Sequence, residues 1–456
     1  MTRLFTSKFA VIGMLTLLFM IALAMLSNLV RERQQYNDNV MSDIGQDYVH
    51  PQLILTPFIV IPTSTSQPCS NDQNKTCLYT KDVIINPSHS SWTNQLTVSN
   101  DNFKRGIYKA ITYTDAVAIK GNFAIPAQLS DASFFQGYSP NATHVVHWDK
   151  ATIRLSISDL RGLTNQPVMT LNQQKVVFNF PRADRPNRLA MTYTEAPIVI
   201  NPQAQNLDFA LDFELNGMSS LAVIPVGNDM SMSVDANWAH PSFYGASLPQ
   251  KNIQANRFHA TWQNTYIANQ NAERLNACMS NGNQPSCDML KVPENSVFAV
   301  KLINAVDTYT MSDRTIKYAL LFLMITFGTF FLFEVLKKLR IHPMQYTLVA
   351  AALGVFYLLL LSFSEHVGFA VAYLGSSAAC VLLISFYVYH VLKGLGRTLL
   401  LTTILSAMYA SMYVILQSED LTLILGSILV FVLIAVMMFL TRKVDWYELS
   451  TSSKNP

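Results

Sequence analysis

Charge is what this sequence has little of. Lys, Arg, Asp and Glu make up 13% of its 456 residues, about half the share in an ordinary soluble domain. Apolar residues stand at an ordinary 50%, so the charge is missing in bulk from some part of the chain. Gly and Pro, at 17 and 19, are not raised, which excludes collagen-like and disordered classes. A net charge of +3 is too small for the basic field of a nucleic-acid binder. There is no phosphate-binding P-loop, no H-E-x-x-H and no G-x-S-x-G. What remains is a chain built from membrane parts and water-soluble parts.

The missing charge is localised. Phe9–Val30 is an uncharged apolar run, and no comparable run follows until Tyr318. Then come five: 318–336, 344–363, 367–392, 398–416 and 421–441. Each suits a span of about 20 residues across about 30 Å of hydrocarbon. Glu334, near the end of its run, is the one formal charge among them. Ala22-Leu23-Ala24 resembles a signal cleavage site, but the apolar run continues to Val30. The reading favoured is an uncleaved anchor over 9–30. With residues 1–8 and 442–456 in the cytoplasm, the inner segments hold 10 Lys and Arg. The short outer turns 364–366 and 417–420 hold none, although Arg31 and Arg33 lie just outside the first span. The positive-inside rule then predicts six helices and places residues 31–317 outside the cytoplasm.

The external region reads as β. Leu207, Phe209, Leu211, Phe213 and Leu215 alternate with polar or small residues. So do Met230, Met232, Val234, Ala236 and Trp238, and Ile153, Leu155 and Ile157. A period of 2 buries one face of a strand and wets the other. Further strands are predicted at 82–85, 106–113, 116–123, 175–180, 197–200, 221–226, 258–262 and 296–302. Turns are predicted at Asn201-Pro202, Asn216-Gly217 and Gly227-Asn228. The fold class expected is therefore a six-helix membrane bundle with a large, mainly antiparallel β domain, sandwich or open barrel, between helices 1 and 2. The domain is one unit or two, with a weak boundary near Pro181–Asn187. Helix is predicted for Val30–Ile44, as a stalk continuing the anchor, and for Thr265–Ala277.

Cys69, Cys77, Cys278 and Cys287 fall in this region, and Cys380 in the fourth span. Their spacing favours Cys69–Cys77 and Cys278–Cys287, each closing a small polar loop worth roughly 2–3 kcal/mol. Four free thiols is the alternative. A zinc site fits poorly, because the spacings exceed those of zinc ligands. His144 and His147 read as surface histidines, since an i, i+3 pair on a strand faces opposite ways. The helix centres lack Asp, Glu, Lys and Arg, where an ion-coupled transporter needs ionisable groups. Gly375-Ser376-Ser377-Ala378-Ala379 reads as close helix packing. Polar residues gather at the helix ends instead: Asp313 and Arg314 before helix 2, His342 at the start of helix 3, and Glu365 and His366 in the turn after it. Caps and interface anchors account for most of these. Glu365 and His366 could do more, because an acid beside an imidazole titrates near neutral pH. No metal site and no cofactor is called for.

At these motifs the sequence resembles the CreD family of bacterial inner-membrane proteins. The resemblance is carried by His342-Pro343-Met344-Gln345-Tyr346, Phe356–Ser362, Ser364-Glu365-His366 and Gly368-Phe369. It extends to Asp313-Arg314 with Lys317-Tyr318-Ala319, Trp238 with His240-Pro241-Ser242-Phe243 and Gly245, Leu248-Pro249, and Asp445-Trp446-Tyr447. Weaker matches are Glu32-Arg33 with Tyr36, Asp159 with Arg161-Gly162, and Arg105-Gly106-Ile107-Tyr108. The resemblance implies an inner-membrane protein with a large periplasmic domain. It also implies a role in envelope integrity, a response to a two-component regulator, and altered tolerance to colicins or β-lactams. It carries over no catalytic residue, and the four external cysteines read as a local feature. The first functional expectation is thus a non-enzymatic envelope-integrity protein, with Glu365, His366, His342, Asp313, Arg314 and His240 as candidate docking residues. The second is a lipid or envelope-precursor handling protein with a groove among helices 2–6, opening near Glu365. The third is a membrane enzyme with a Glu365/His366 site, which requires those groups to converge with Asp313 or Arg314. The partners implied are membrane lipids and envelope proteins or peptidoglycan components, not nucleic acid. Oligomeric state is not legible.

Overall fold

The computed structural model describes residues 2–69, 72–130, 142–181, 191–245, 248–265, 270–280, 296–304, 308–337, 342–392, 394–417 and 422–442. Two compact units emerge, residues 1–38 with 306–456, and residues 39–305.

The first unit is helical. It opens with most of α1 (Thr2–Asp47), so the anchor and the predicted stalk form one uninterrupted helix. Beyond the β unit, which also contains α2 (Asn271–Ser280), come α3 (Thr308–Lys317), α4 (Ala319–Lys337), α5 (Pro343–Val367), α6 (Phe369–Leu392), α7 (Leu395–Gln417) and α8 (Thr422–Thr441). Among the described residues, four helices are long and apolar enough to cross a membrane: α1, α5, α6 and α7. The bent pair α3–α4, with 40° between its parts, makes five if taken as one span. The predicted turn at Ser364–His366 is instead helix, and α5 ends at Gly368. With φ at +82°, Gly368 sits where a side chain would be strained.

The second unit has sixteen strands among the described residues: β1 (Gln52–Cys69), β2 (Asp72–Ile85), β3 (His89–Arg105), β4 (Tyr108–Ala124), β5 (Thr143–Val146), β6 (Ala151–Ile157), β7 (Val168–Leu171), β8 (Gln174–Val177), β9 (Tyr193–Ile198), β10 (Asn206–Met218), β11 (Ser220–Ile224), β12 (Asp229–Ala236), β13 (Pro241–Gly245), β14 (Gln250–Ile253), β15 (Phe258–Thr265) and β16 (Phe298–Leu302). One sheet runs β13-β16-β11-β1-β6-β9, with β2 and β5 also paired to β1. The other runs β14-β15-β12-β3-β4-β10-β7-β8. Pairing is mostly antiparallel, but β1 runs parallel to β11 and β3 parallel to β12, so both sheets are mixed. Ile54, Ile153 and Phe298 from the first sheet share one core with Trp92, Ile119 and Phe213 from the second.

The first sheet is covered on both faces. Leu55, Phe58 and Val60 point away from the shared core and pack with Ala272, Leu275 and Met279 of α2. This is why Leu53–Ile61 is apolar at every position but Thr56, rather than alternating. It also corrects the reading of β6: Arg154, predicted to face water, is buried, 3.5 Å from Glu195 on β9. Asn216-Gly217, predicted as a turn, lies inside β10. Two predicted strands, 106–113 and 116–123, merge into β4. The helix predicted from Thr265 begins at Asn271, because β15 runs on to Thr265. Cys69 and Cys77 are bridged where β1 meets β2. Cys278 is disulfide-bonded too. Its expected partner, Cys287, lies outside the described residues, as do Asp445–Tyr447 and most of the expected Pro181–Asn187 boundary.

Candidate functional site

In the helical unit, the C-terminal end of α5 is where predicted residues meet. Glu365 is half-buried, and its Oε1 accepts a hydrogen bond of 3.0 Å from the Tyr309 hydroxyl of α3. Helix α3 is short and amphipathic, burying Tyr309, Ser312 and Ile316, which share one helical face. Asp313 and Arg314 flank that face, and Asp313 pairs with Lys317 one turn on, at 2.8 Å. The structure thus brings Glu365 to α3, the helix that carries Asp313 and Arg314. His366 is exposed, and its Nδ1 lies 3.1 Å from the Ser362 carbonyl of its own helix. Among the described residues, Glu365 shares no hydrogen bond or ion pair with His366 or Arg314.

The other candidates lie apart. His342 caps the opposite end of α5: its Nδ1 accepts from the Met344 amide at 3.2 Å, and the Gln345 side chain accepts from the His342 amide at 3.0 Å. This reciprocal box satisfies two otherwise orphaned amides. His240 is exposed in the β unit, with its carbonyl accepting from the Ile303 amide. His144 and His147 each meet a β1 hydroxyl, of Thr65 and Ser64 respectively, both at 2.9 Å.

A cluster that sequence reasoning missed lies inside the bundle. The Tyr373 hydroxyl donates to the Tyr409 carbonyl at 2.9 Å, and the Tyr409 hydroxyl approaches Cys380 Sγ at 3.4 Å. The hydroxyls of Tyr357 and Ser376 are buried without a hydrogen-bond partner among the described residues. These groups carry no formal charge; tyrosine at mid-helix was the available signal. Of the Gly375–Ala379 stretch, Ser376 and Ser377 are buried while Gly375, Ala378 and Ala379 are exposed, so the packing expected of it involves the two serines.

A second missed constellation is in the β unit, at the end of α1. Val40 and Ile44 pack with Ala110 and Met218. Arg161 Nη1 and Nη2 donate to the carbonyls of Gln46 and Gly45, at 2.5 and 3.2 Å. These are last-turn carbonyls with no partner inside the helix, and a cation there also suits the helix dipole. Arg161 is itself gripped by Asp159, at 2.9 Å through Nε and 2.6 Å through Nη2. The Asp159 carboxylate further accepts the amides of Arg161 and His50. Burial works to raise this carboxyl, but hydrogen bonds from Arg161 and the two amides outweigh it and hold it below its ordinary range. Gly162 completes the turn, where a Cβ would lie 2.4 Å from the Asn216 carbonyl oxygen. Arg105 adds two ion pairs, to Asp43 at 3.2 Å and Asp47 at 2.7 Å. The signal was in the weaker motif matches, Asp159 with Arg161-Gly162 and Arg105 with Tyr108. Their role needed the fold.

The helical unit also carries an apolar groove of about 750 Å³ between α1 and α5. Glu365 is not part of its lining.

Several long apolar helices beside a large mixed β unit define a multi-pass membrane protein. Residues 4–447 match the family model described as Inner membrane protein CreD, and the chain belongs to that family. It is 32% identical to the Inner membrane protein CreD of Escherichia coli (strain K12) over 454 residues, covering 95% of this chain and 92% of that one. A solved structure from Legionella pneumophila, described as that of a nutrient binding protein, covers 52% of this chain and 74% of its own. It is 10% identical with a TM-score of 0.24, a likeness that bears on neither fold nor function.

Proposed function

We propose that this CreD-family protein is a non-enzymatic inner-membrane protein that supports envelope integrity and tolerance to colicins or antibiotics, acting through its β unit in the periplasm. One observation carries the reading. The acid and imidazole that suggested catalysis are engaged in holding helices, Glu365 by Tyr309 and His366 by its own α5. The reading takes α8 as a further span, giving six, with both termini cytoplasmic and 31–317 periplasmic. The ten basic residues assigned to the inner side support that orientation. A strain lacking the gene, complemented with variants and challenged with colicin or a β-lactam, tests it. Glu365→Gln keeps an acceptor for Tyr309 but removes the acid, and His366→Asn removes the imidazole. Both are expected to restore tolerance to within twofold of wild type. Loss of tolerance with either variant, at normal protein level, would favour the enzyme instead.

A second reading, lipid or precursor handling, is favoured by the groove between α1 and α5. That groove lies away from the Glu365 end at which the sequence led us to expect one.

A further inference from the structure

We infer that the groove between α1 and α5 holds one acyl chain of a phospholipid whose head group bears a primary ammonium, with Glu32 as its acceptor. The proposal concerns a bound lipid and does not depend on the envelope-integrity reading. Both walls belong to helices long and apolar enough to cross a membrane, so hydrocarbon is the medium that fills the space. Its shape has a cause in sequence. Ala350, Ala351 and Gly354 on α5 face Ala22 on α1 across the groove. A Cβ at Gly354 would meet only Phe19, at an unstrained 3.8 Å, so room remains above it.

Size suits one acyl chain. On the α1 wall, Ala22 lies ten residues below Glu32, about 15 Å at 1.5 Å per residue. That is close to the hydrocarbon depth of one leaflet, half of about 30 Å. The groove offers about 750 Å³, room for one chain.

Charge selects the head group. Glu32 is the one charged side chain among the groove's lining residues, and Asn28 lies one turn below it on the same face. Glu32 stands just past Val30, where the apolar run ends, and so at head-group level. Arg31 and Arg33 flank it in sequence but do not line the groove, so the carboxylate is the charge that a lipid there meets, and it calls for a counter-charge. A primary ammonium supplies both that charge and hydrogen bonds. A quaternary ammonium supplies only the charge, and a head group with no cation supplies neither.

The test uses the full chain in nanodiscs of phosphatidylcholine. Each preparation is doped with a photoactivatable phosphatidylethanolamine, phosphatidylglycerol or phosphatidylcholine carrying the same reactive acyl chain, and adducts are mapped by mass spectrometry. Phosphatidylethanolamine is expected to label the Ala351–Leu358 stretch and the facing part of α1 about two- to fivefold more than the others, the range of an exposed ion pair. Glu32→Gln should abolish that preference while leaving basal labelling. Gly354→Phe and, from the opposite wall, Ala22→Phe should each remove the labelling. Equal labelling by all three lipids, a preference for phosphatidylglycerol, or an unchanged preference in Glu32→Gln would overturn the proposal. So would crosslinks from the groove to a second copy of the chain in place of lipid adducts.

Discussion

Asp115 lies on β4, fully buried, with its Oδ2 accepting a 2.7 Å hydrogen bond from Asn94 Nδ2. Its neighbours in register are Leu96 and Leu215. Burial pushes its carboxyl up to about 7, against the opposing pull of hydrogen bonds from Asn94 and the Gln95 backbone. The folded state therefore keeps a proton that the unfolded chain releases near pH 4. Stability from this group is full below pH 4 and falls as pH rises to about 7, by up to about 4 kcal/mol. Chemical denaturation at pH 4, 5.5 and 7 should show that decline, and Asp115→Asn should flatten it. A decline unchanged in the variant would assign it elsewhere.

Asp159 has the opposite sign. Its carboxyl is held low, so its contribution is present above the ordinary carboxylate range and is lost as the medium becomes more acid than that. Arg161→Met would leave the buried Asp159 with only its amide partners and the carbonyls of Gly45 and Gln46 without theirs. A loss of about 1–3 kcal/mol is expected. Faster amide exchange at the end of α1 is the specific sign to seek. If α1 exchanges as in wild type, Arg161 is not its cap.

Among elements, α3 is a short helix with a defined attachment. The Tyr309–Glu365 hydrogen bond, from a hydroxyl to a carboxyl oxygen, is worth about 0.5–1.5 kcal/mol. Tyr309→Phe should raise hydrogen exchange across Thr308–Lys317 while α6 and α7 stay protected. Uniform deprotection would show that α3 is fixed by other contacts. The partnership could not be read in advance. Glu365 is conspicuous in an apolar stretch, but Tyr309 is 56 residues away and becomes its partner only through the fold. The strands divide on similar grounds. Where one face meets the core and the other water, as in β10 and β12, alternation made them legible. β1 has two covered faces, so its apolar run carries no period and escaped notice, although it is the centre of its sheet. Arg154 failed for the same reason: alternation implied a wet face that the fold covers.

At the scale of the molecule, the low charge has two sources. The apolar helices are nearly free of it, while residues 31–317 hold 45 charged residues in 287, about 16%, still under the soluble norm of about 25%. This made the existence of the long apolar helices legible, since in a membrane the backbone must satisfy itself within each span, but not their ends: α5 runs on through Ser364–His366. Orientation rests on the loop charges, and a periplasm-dependent reporter fused after Pro249 should be active. Reporter activity confined to the cytoplasm would invert the proposed topology.

The two parallel pairings bear on how the β unit comes into being. Gln52 pairs with Leu221 and His89 with Asp229. Neither parallel pairing can form until the chain has emerged to about its middle. Until then β1, apolar on both faces, waits for its parallel neighbour, while the Cys69–Cys77 hairpin can form early. Such non-local closure is slow and leaves strand edges open to aggregation. A nascent chain arrested before residue 221 should therefore depend on holding chaperones, and one arrested after residue 305 should not.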